Sequence, residues 1–127
     1  MKQFQPEDIR NVVLLSHSGA GKTTLSEAML FTVGEISRLG KVDAGSTTSD
    51  YDPDEVKRKI SINLSLLPCQ WQDKKVNIID TPGYADFAGE VRAAIRVSEA
   101  AIIVVSAASA IEAVSYTHLT LPTTPYV

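Results

Sequence analysis

A short glycine-containing segment near the N-terminus has the composition of a phosphate-binding loop. It spans Ser16–Thr23 (SHSGAGKT) and lies between a β-branched, leucine-rich run and a segment with helical spacing. Glycines allow successive backbone N–H groups to curve around a phosphate with no Cβ in the way. The N-terminus of the following helix adds a partial positive charge. A glycine-rich turn that merely caps a helix is the alternative, but the flanking strand and helix favour a P-loop.

Individual side chains of this loop have separate expected roles. Lys22 would bridge the β- and γ-phosphates of a nucleotide, and the hydroxyl of Thr23 would bind Mg²⁺. Thr24 would reach the α-phosphate. The first glycine of the usual G-x-x-x-x-G-K-[ST] pattern is Ser16 here, and a small residue there still allows close packing.

A second motif, Asp80-Thr81-Pro82-Gly83, comes directly after a strand predicted over Val76–Ile79. Asp80 would hold Mg²⁺, usually through a water, and the backbone N–H of Gly83 would contact the γ-phosphate. The helix that follows would then respond to the presence of that phosphate. A D-x-x-G turn at this place separates switch GTPases from many P-loop ATPases. Together the two motifs give the residues expected to contact the nucleotide: His17, Ser18, Gly19, Ala20, Gly21, Lys22, Thr23, Thr24, Asp80 and Gly83.

The stretch between the two motifs offers one more candidate ligand. Residues 39–59 have no apolar period and are rich in Gly, Ser, Thr and Asp, and loops of that length are usually functional. Ser61 follows at the end of this loop, where a first switch segment would close over Mg²⁺. We therefore expect Thr23, Ser61 and Asp80 to be the metal ligands, with an ordinary surface serine as the alternative for Ser61.

The elements that must position these residues follow an α/β order. Short apolar runs predict strands over Asn11–Leu15 and Ala100–Val105, and strict alternation predicts a strand over Ile60–Leu67 with its even-numbered side chains buried. Asp73-Lys74-Lys75 is a polar turn that leads into the strand Val76–Ile79.

The first helix presents one face made of Leu25, Ala28, Met29 and Thr32, and is closed by Gly34. The second helix presents one face made of Phe87, Val91, Ala94, Ile95 and Ser98. This order of elements, which is strand, helix, hairpin, helix and strand, predicts a mostly parallel sheet with helices on both faces.

Bulk composition limits the classes of partner. The chain has 127 residues, enough for one modest domain, and its formal net charge of -3 leaves no basic footprint for nucleic acid. The single cysteine, Cys69, cannot form an internal disulfide and is expected to be a small buried hydrophobe. The N-terminus is unlike a signal peptide, and no apolar run is long enough to span a bilayer. We expect a cytoplasmic protein with no membrane partner and no autonomous binding of nucleic acid.

The C-terminal stretch differs from the rest. Residues 114–127 (VSYTHLTLPTTPYV) contain no charged side chain and are rich in threonine and proline. Residues 114–123 resemble a translated sequencing adapter read through in frame. We expect residues 1–113 to be the N-terminal part of an incomplete nucleotide-binding domain and residues 114–127 to be a non-native tail, with a native linker as the alternative.

Taken in register, the motifs resemble those of a known family. HSGAGKTTLSEAMLF, the loop ending in YDPDEVKRKISI, and DTPGYADFAGEVRAAIRVSEAAIIVVSA are similar to the N-terminal part of elongation factor G, especially its elongation factor G-like paralogues. The resemblance covers Ile9 to Ala113. The resemblance implies a P-loop NTPase G domain that is truncated after the fourth strand. It also implies that the intact protein is a ribosome-dependent GTPase, with GTP/GDP and Mg²⁺ as cofactors and the ribosome as partner. The chain alone is expected to be inactive.

Two positions depart from the family pattern. The switch-one threonine of R-G-I-T-I is Ser61 here, which keeps the hydroxyl, and the glycine is Lys59. The histidine of D-T-P-G-H, which positions the attacking water in the family, is Tyr84. A phenol with an ordinary pKa of about 10 stays neutral where a histidine can become a cation. We therefore take Tyr84, together with Lys22, as the candidate catalytic residues, with slower hydrolysis than in a typical translocase.

Three functions remain open from the sequence. The first is an active translational GTPase, and ribosome-protection and release GTPases share its motifs. The second is a non-hydrolysing GTP switch or ribosome-binding regulator, which Tyr84 would suit. The third is a P-loop ATPase or kinase, which the DTPG turn disfavours. The N-K-x-D motif that reads guanine in such domains does not occur in these 127 residues.

Overall fold

The computed structural model describes residues 2–17, 19–40, 53, 64–83 and 88–108. A 3₁₀ turn at Pro6–Asp8 comes before the first strand. The regular elements, in chain order, are β1 (Ile9–Leu15), α1 (Lys22–Thr32), β2 (Ser65–Trp71), β3 (Lys74–Asp80), α2 (Ala88–Val97) and β4 (Ala100–Ile103).

These strands form one mixed, mostly parallel sheet. Its order is β2-β3-β1-β4, with β1 parallel to both β3 and β4 and with β2 antiparallel to β3. Each parallel connection passes through a helix, as parallel pairs require. Because β1 and β3 run side by side, their carboxyl ends meet at one edge, where Leu14 lies opposite Asp80. The predicted α/β fold is confirmed in this part of the chain.

Two apolar clusters place a helix on each face of the sheet. The odd-numbered β1 residues Val13 and Leu15 pack with α2 and Ile79, whereas Leu14 packs with α1 and Ile78 on the other face. Successive side chains of a strand point to opposite faces, so a strand buried on both faces reads as a continuous apolar run. The run NVVLL has this property, and β1 is accordingly the central strand between β3 and β4.

The hairpin differs from the sequence prediction. The strand predicted over Ile60–Leu67 is β2, which extends to Trp71, while residues 60–63 lie outside the described residues. The turn consists of Gln72 and Asp73, both with positive φ, and not of Asp73-Lys74-Lys75. Lys74 and Lys75 already belong to β3, where they pair with Trp71 and Gln70. A two-residue turn with two left-handed residues matches the twist of the flanking strands, which fixes the turn here.

The predicted buried face is wrong within β2, although Leu64, directly before the strand, is partly buried against the cluster on the α2 side. Leu66 is 58% exposed, whereas Ser65 is 5% and Leu67 4% exposed. The buried set is Ser65, Leu67 and Cys69, which faces α1. The predicted alternation of buried and exposed residues is correct, but the odd-numbered side chains of β2 are the buried ones. Apolar residues occur at both even-numbered and odd-numbered positions, so the alternation alone does not identify the buried face.

Both helices occupy the predicted positions. Val91, Ala94 and Ile95 of α2 are buried, as predicted, while Phe87 lies outside the described residues. Helix α1 ends in a Schellman motif: the N–H of Gly34 (φ +83°) donates to the carbonyl of Phe31, and the N–H of Glu35 to that of Leu30. Among the residues that the structure describes, no helix is long and apolar enough to cross a membrane.

Candidate GTP-binding site

The phosphate-binding loop connects the carboxyl end of β1 to the first residue of α1. Ser16 and His17 are buried directly after β1, and the Ser16 hydroxyl donates to the His17 carbonyl at 2.9 Å. The N–H of Ala20 then donates to the same carbonyl at 3.4 Å, which closes a turn. Gly21 caps the helix, because its carbonyl accepts the N–H of Leu25 at 2.9 Å. The loop is therefore anchored at both ends to regular structure.

Two glycines of the loop adopt conformations that other residues rarely take. Gly19 has φ +78° and Gly21 has φ +96°, both in the left-handed region. A Cβ built on either would meet no atom within 4 Å, apart from its chain neighbours. At these two glycines, the backbone of the loop thus borders open space among the residues that the structure describes. This is the arrangement that a phosphate needs in order to reach backbone N–H groups.

One hydrogen bond joins the two motifs. The hydroxyl of Thr23 donates to Oδ2 of Asp80 at 2.8 Å, although the two residues are 57 positions apart in the chain. Both are buried, Thr23 at 8% and Asp80 at 2% exposure, and Lys22 beside them is 6% exposed. A lysine, a hydroxyl and a carboxylate therefore lie together at the start of α1. The sequence predicted this grouping from two motifs in their strand and helix context.

The donor set suits a hard divalent cation. Mg²⁺ takes oxygen ligands, usually one or two from protein side chains in addition to phosphates and waters. Thr23 and Asp80 supply a hydroxyl and a carboxylate oxygen within 2.8 Å of each other, beside the open loop. The residues present thus fit Mg²⁺ by the chemistry of their atoms.

The remaining candidate residues divide between those that the structure places and those that lie outside it. Gly83 is buried just beyond β3, while Thr24 is exposed on the first turn of α1. Ser18, Ser61 and Tyr84 lie outside the described residues.

Thr81 is a residue of the site that sequence reasoning passed over. Its side chain is 1% exposed, and its hydroxyl donates to the carbonyl of Leu14 at 2.7 Å. This bond ties the chain directly after Asp80 to β1, just before the phosphate-binding loop. The partner is a backbone oxygen, so no pattern of side chains in the sequence indicates this hydrogen bond. Thr81 holds the two halves of the site in register.

Cys69 and Asp73, both in the β2–β3 hairpin, have shifted pKa values. Burial, together with the nearby carboxylate of Glu35, raises the pKa of the Cys69 thiol. The hydrogen bond and the positive charge of Lys2 lower the pKa of the Asp73 carboxyl at the hairpin turn. Cys69 is buried in the α1 face of the sheet, as predicted, and a raised pKa disfavours the reactive thiolate.

Comparisons with known proteins give the same family. The model of the elongation factor Tu GTP-binding domain matches residues 7–125. This match runs into the segment that composition sets apart as a tail, and the boundary at residue 113 stays a prediction. Elongation factor G 2 of Borreliella burgdorferi is 41% identical over 105 residues, which are 83% of this chain and 16% of that protein. The mitochondrial ribosome-releasing factor 2 of Debaryomyces hansenii is 43% identical over 113 residues, 89% of this chain and 13% of that protein.

A solved structure shares the fold as well. The crystal structure of a Thermus thermophilus protein superimposes with a TM-score of 0.85 at 38% sequence identity, over 88% of this chain and 17% of that one. The chain therefore spans about a sixth or less of the length of these relatives. With the phosphate-binding loop, the DTPG motif and the sheet order in agreement, this chain belongs to the family of elongation factor Tu-type GTP-binding domains, found in the translational GTPases.

Proposed function

We propose that the full-length protein is a translation factor that binds GTP and hydrolyses it on the ribosome. The observation that carries this proposal is the hydrogen bond from Thr23 to Asp80, because it joins the phosphate-binding loop to the DTPG motif. Related proteins named elongation factor G 2 and ribosome-releasing factor 2 support the link with the ribosome. The cytoplasm is the proposed location.

Each residue of the site has a proposed task. The backbone N–H groups from Ser18 to Lys22 would surround the β-phosphate, and the Lys22 ammonium would bridge the β- and γ-phosphates. Thr23 and Asp80 would hold Mg²⁺, with Ser61 as a further ligand. When bound, Mg²⁺ neutralises charge on the phosphate oxygens. Gly83 donates its N–H to the γ-phosphate, and Tyr84 orients the attacking water where the family has histidine.

A competition experiment on the full-length protein tests the site. A fluorescent GDP is displaced by GTP, GDP or ATP, with Mg²⁺ and again with EDTA. We expect displacement by both guanine nucleotides, little by ATP, and weaker binding in EDTA. Lys22→Ala should lower affinity about 10- to 100-fold, since a charge-assisted hydrogen bond contributes about 1.5–3 kcal/mol.

The matched control is Lys75→Ala. Lys75 lies at the opposite end of β3 from Asp80, where it pairs with Ile9. This variant should bind as the wild type does. Equal losses in the two variants, or displacement by ATP as strong as by GTP, would refute the assignment.

The second candidate is a GTP switch that does not hydrolyse GTP. Tyr84 favours it, because a neutral phenol replaces the histidine of the family motif. A water-orienting or proton-handling group contributes typically about 10²–10⁴-fold to a rate. Tight GTP binding without turnover on ribosomes would select this candidate.

A further inference from the structure

One carboxylate of α2 contacts the chain directly before β2. Glu90 lies on the first turn of α2, and its Oε2 accepts a hydrogen bond from the backbone N–H of Leu64 at 3.1 Å. The side chain of Leu64 packs against the apolar cluster that includes Val91 of the same helix. The start of β2 is therefore held to α2 by a polar contact and by an apolar one.

The residue after Leu64 lies beside the proposed metal ligand. Ser65 is the first residue of β2 and pairs with Asp80, the last residue of β3. On the other side of β3, Asp80 lies opposite Leu14 of β1. The backbone of Asp80 thus lies between two strands, and Glu90 holds the start of β2, the outer strand of the described sheet.

The proposed task of Asp80 depends on its alignment with Thr23. The Oδ2 of Asp80 accepts the hydroxyl of Thr23 at 2.8 Å, and both side chains are buried. Mg²⁺ demands near-ideal octahedral geometry, with its oxygen ligands at about 2.0–2.1 Å. A small displacement of Asp80, following the start of β2, would therefore weaken metal binding.

The opposite end of β2 has a comparable contact. Glu35 lies just beyond α1, and its Oε1 accepts a hydrogen bond from the backbone N–H of Gln70 at 3.3 Å. Gln70 pairs with Lys75, toward the end of β3 that lies away from Asp80. Two carboxylates thus hold the same strand near its two ends, and of these two it is the one on α2 that lies on the side of the metal-binding residues.

We propose that Glu90 is a positioning residue for Mg²⁺ binding at Asp80. Glu90 accepts the N–H of Leu64 and thereby holds the start of β2. Because that start pairs with Asp80, the contact keeps the aspartate aligned with the hydroxyl of Thr23. This inference rests on the proposed function. Glu90 should influence the Mg²⁺ requirement of nucleotide binding, whereas a carboxylate that only stabilised the fold would not.

The test measures the binding of fluorescent GDP to the full-length protein over a range of Mg²⁺ concentrations, and again in EDTA. Glu90→Met has a similar length and no carboxylate, Glu90→Gln keeps an acceptor without the charge, and Glu35→Met is the matched control. Glu90→Met should need about tenfold more Mg²⁺ for half-maximal binding, as for the loss of a contact that supports a metal ligand. Its GDP affinity in EDTA should equal that of the wild type. Glu90→Gln and Glu35→Met should keep the Mg²⁺ requirement of the wild type.

Hydrogen exchange in the absence of nucleotide and Mg²⁺ shows whether each contact has been removed. Glu90→Met should speed up exchange in the peptide that contains Leu64, and Glu35→Met in the peptide that contains Gln70. Glu90→Gln should leave both peptides as they are in the wild type. If Glu90→Met does not fold, Glu90→Asp replaces it, since aspartate withdraws the acceptor by one carbon, and the same outcomes are expected.

Three results would overturn the positioning role. The first is an unchanged Mg²⁺ requirement, or unchanged exchange at Leu64, in Glu90→Met. The second is an equal rise in the Mg²⁺ requirement of Glu35→Met, which would assign the effect to a general loosening of β2. The third is an equal rise in Glu90→Gln, which would assign it to the charge of Glu90. A wild-type protein that binds no guanine nucleotide would refute the proposed function itself, whereas any of these three results with normal wild-type binding would refute only this inference.

Discussion

At the phosphate-binding loop, glycine is required by the backbone and not by crowding. Gly21 has φ +96°, and a Cβ there would meet nothing within 4 Å. An alanine fits the space but must adopt the left-handed conformation, which costs roughly 1–2 kcal/mol. Gly34, at the other end of α1, has φ +83° and equally open surroundings. The two glycines share the left-handed conformation and differ in their distance from the site.

We predict that Gly21→Ala and Gly34→Ala destabilise the full-length protein to a similar extent, about 1 kcal/mol each. Only Gly21→Ala should weaken nucleotide binding, because it disturbs the loop that presents N–H groups to the phosphates. Thermal unfolding measures the first effect, and displacement of fluorescent GDP measures the second. Loss of nucleotide affinity in Gly34→Ala as well would show that general destabilisation, and not the loop, controls binding.

Tyr84 gives the prediction most specific to this sequence. If the phenol replaces a water-positioning histidine, Tyr84→His should raise ribosome-stimulated GTP turnover in the full-length protein, by up to about 10²-fold. Tyr84→Phe, which keeps the ring and removes the hydroxyl, is the control and should not raise it. Turnover in Tyr84→His no faster than in the wild type would refute the prediction that Tyr84 slows hydrolysis.

The residues of the site differ in how far the sequence reveals them. Lys22, Thr23 and Asp80 were predictable because phosphate and Mg²⁺ chemistry demands those side chains within short motifs. Thr81 was not, since its partner is the backbone carbonyl of Leu14. A backbone partner leaves no trace in residue types. Distant pairs of this kind become visible only in the folded chain.

At the scale of elements, the hairpin shows why polarity mispredicts the turn. Gln72 (φ +48°) and Asp73 (φ +63°) are both left-handed, but neither is the glycine or asparagine that marks such turns. The two lysines that follow look like turn residues by polarity. They belong to an edge hairpin whose pairing tolerates them, and Lys74 binds Asp8 at 2.6 Å. Polarity is a weaker signal here than backbone geometry.

We therefore predict that Gln72→Asn stabilises the protein, by on the order of 0.5 kcal/mol, because asparagine tolerates the left-handed region better than glutamine. Gln70→Asn is the control, since Gln70 lies in β2, where asparagine is disfavoured. It should be neutral or destabilising. Thermal unfolding of the two variants measures the difference, and a loss of stability in Gln72→Asn would contradict the observed turn.

For the whole molecule, the order of elements was predictable and one exposed surface was not. Alternating apolar runs and helical periods predict an α/β sheet, and the sheet agrees. The α1 face, however, carries an apolar groove of about 390 Å³ between α1 and the β2–β3 hairpin. The predicted apolar stripe of α1 lines this groove, while the polar Ser26 and Glu27 occupy the more deeply buried position. Helical period alone predicts the apolar face, but not which residues lie against the sheet.

The 127-residue chain expressed alone should consequently bind a hydrophobic dye. We predict that Met29→Lys, in the wall of the groove, lowers dye fluorescence. Phe31→Lys is the control, because Phe31 is 49% exposed on the same helix but does not line the groove. Phe31→Lys should lower dye fluorescence less than Met29→Lys does. Equal reductions would assign the dye to exposed apolar side chains in general.

We propose that the site at the carboxyl ends of β1 and β3 has one principal activity, the turnover of GTP on the ribosome. Its most direct test is GTP hydrolysis by the full-length protein with and without ribosomes, with ATP as the competing substrate. We expect turnover that ribosomes stimulate, that ATP does not inhibit, and that Lys22→Ala abolishes. Tight GTP binding with no turnover on ribosomes would contradict it and assign the protein to the non-hydrolysing switches.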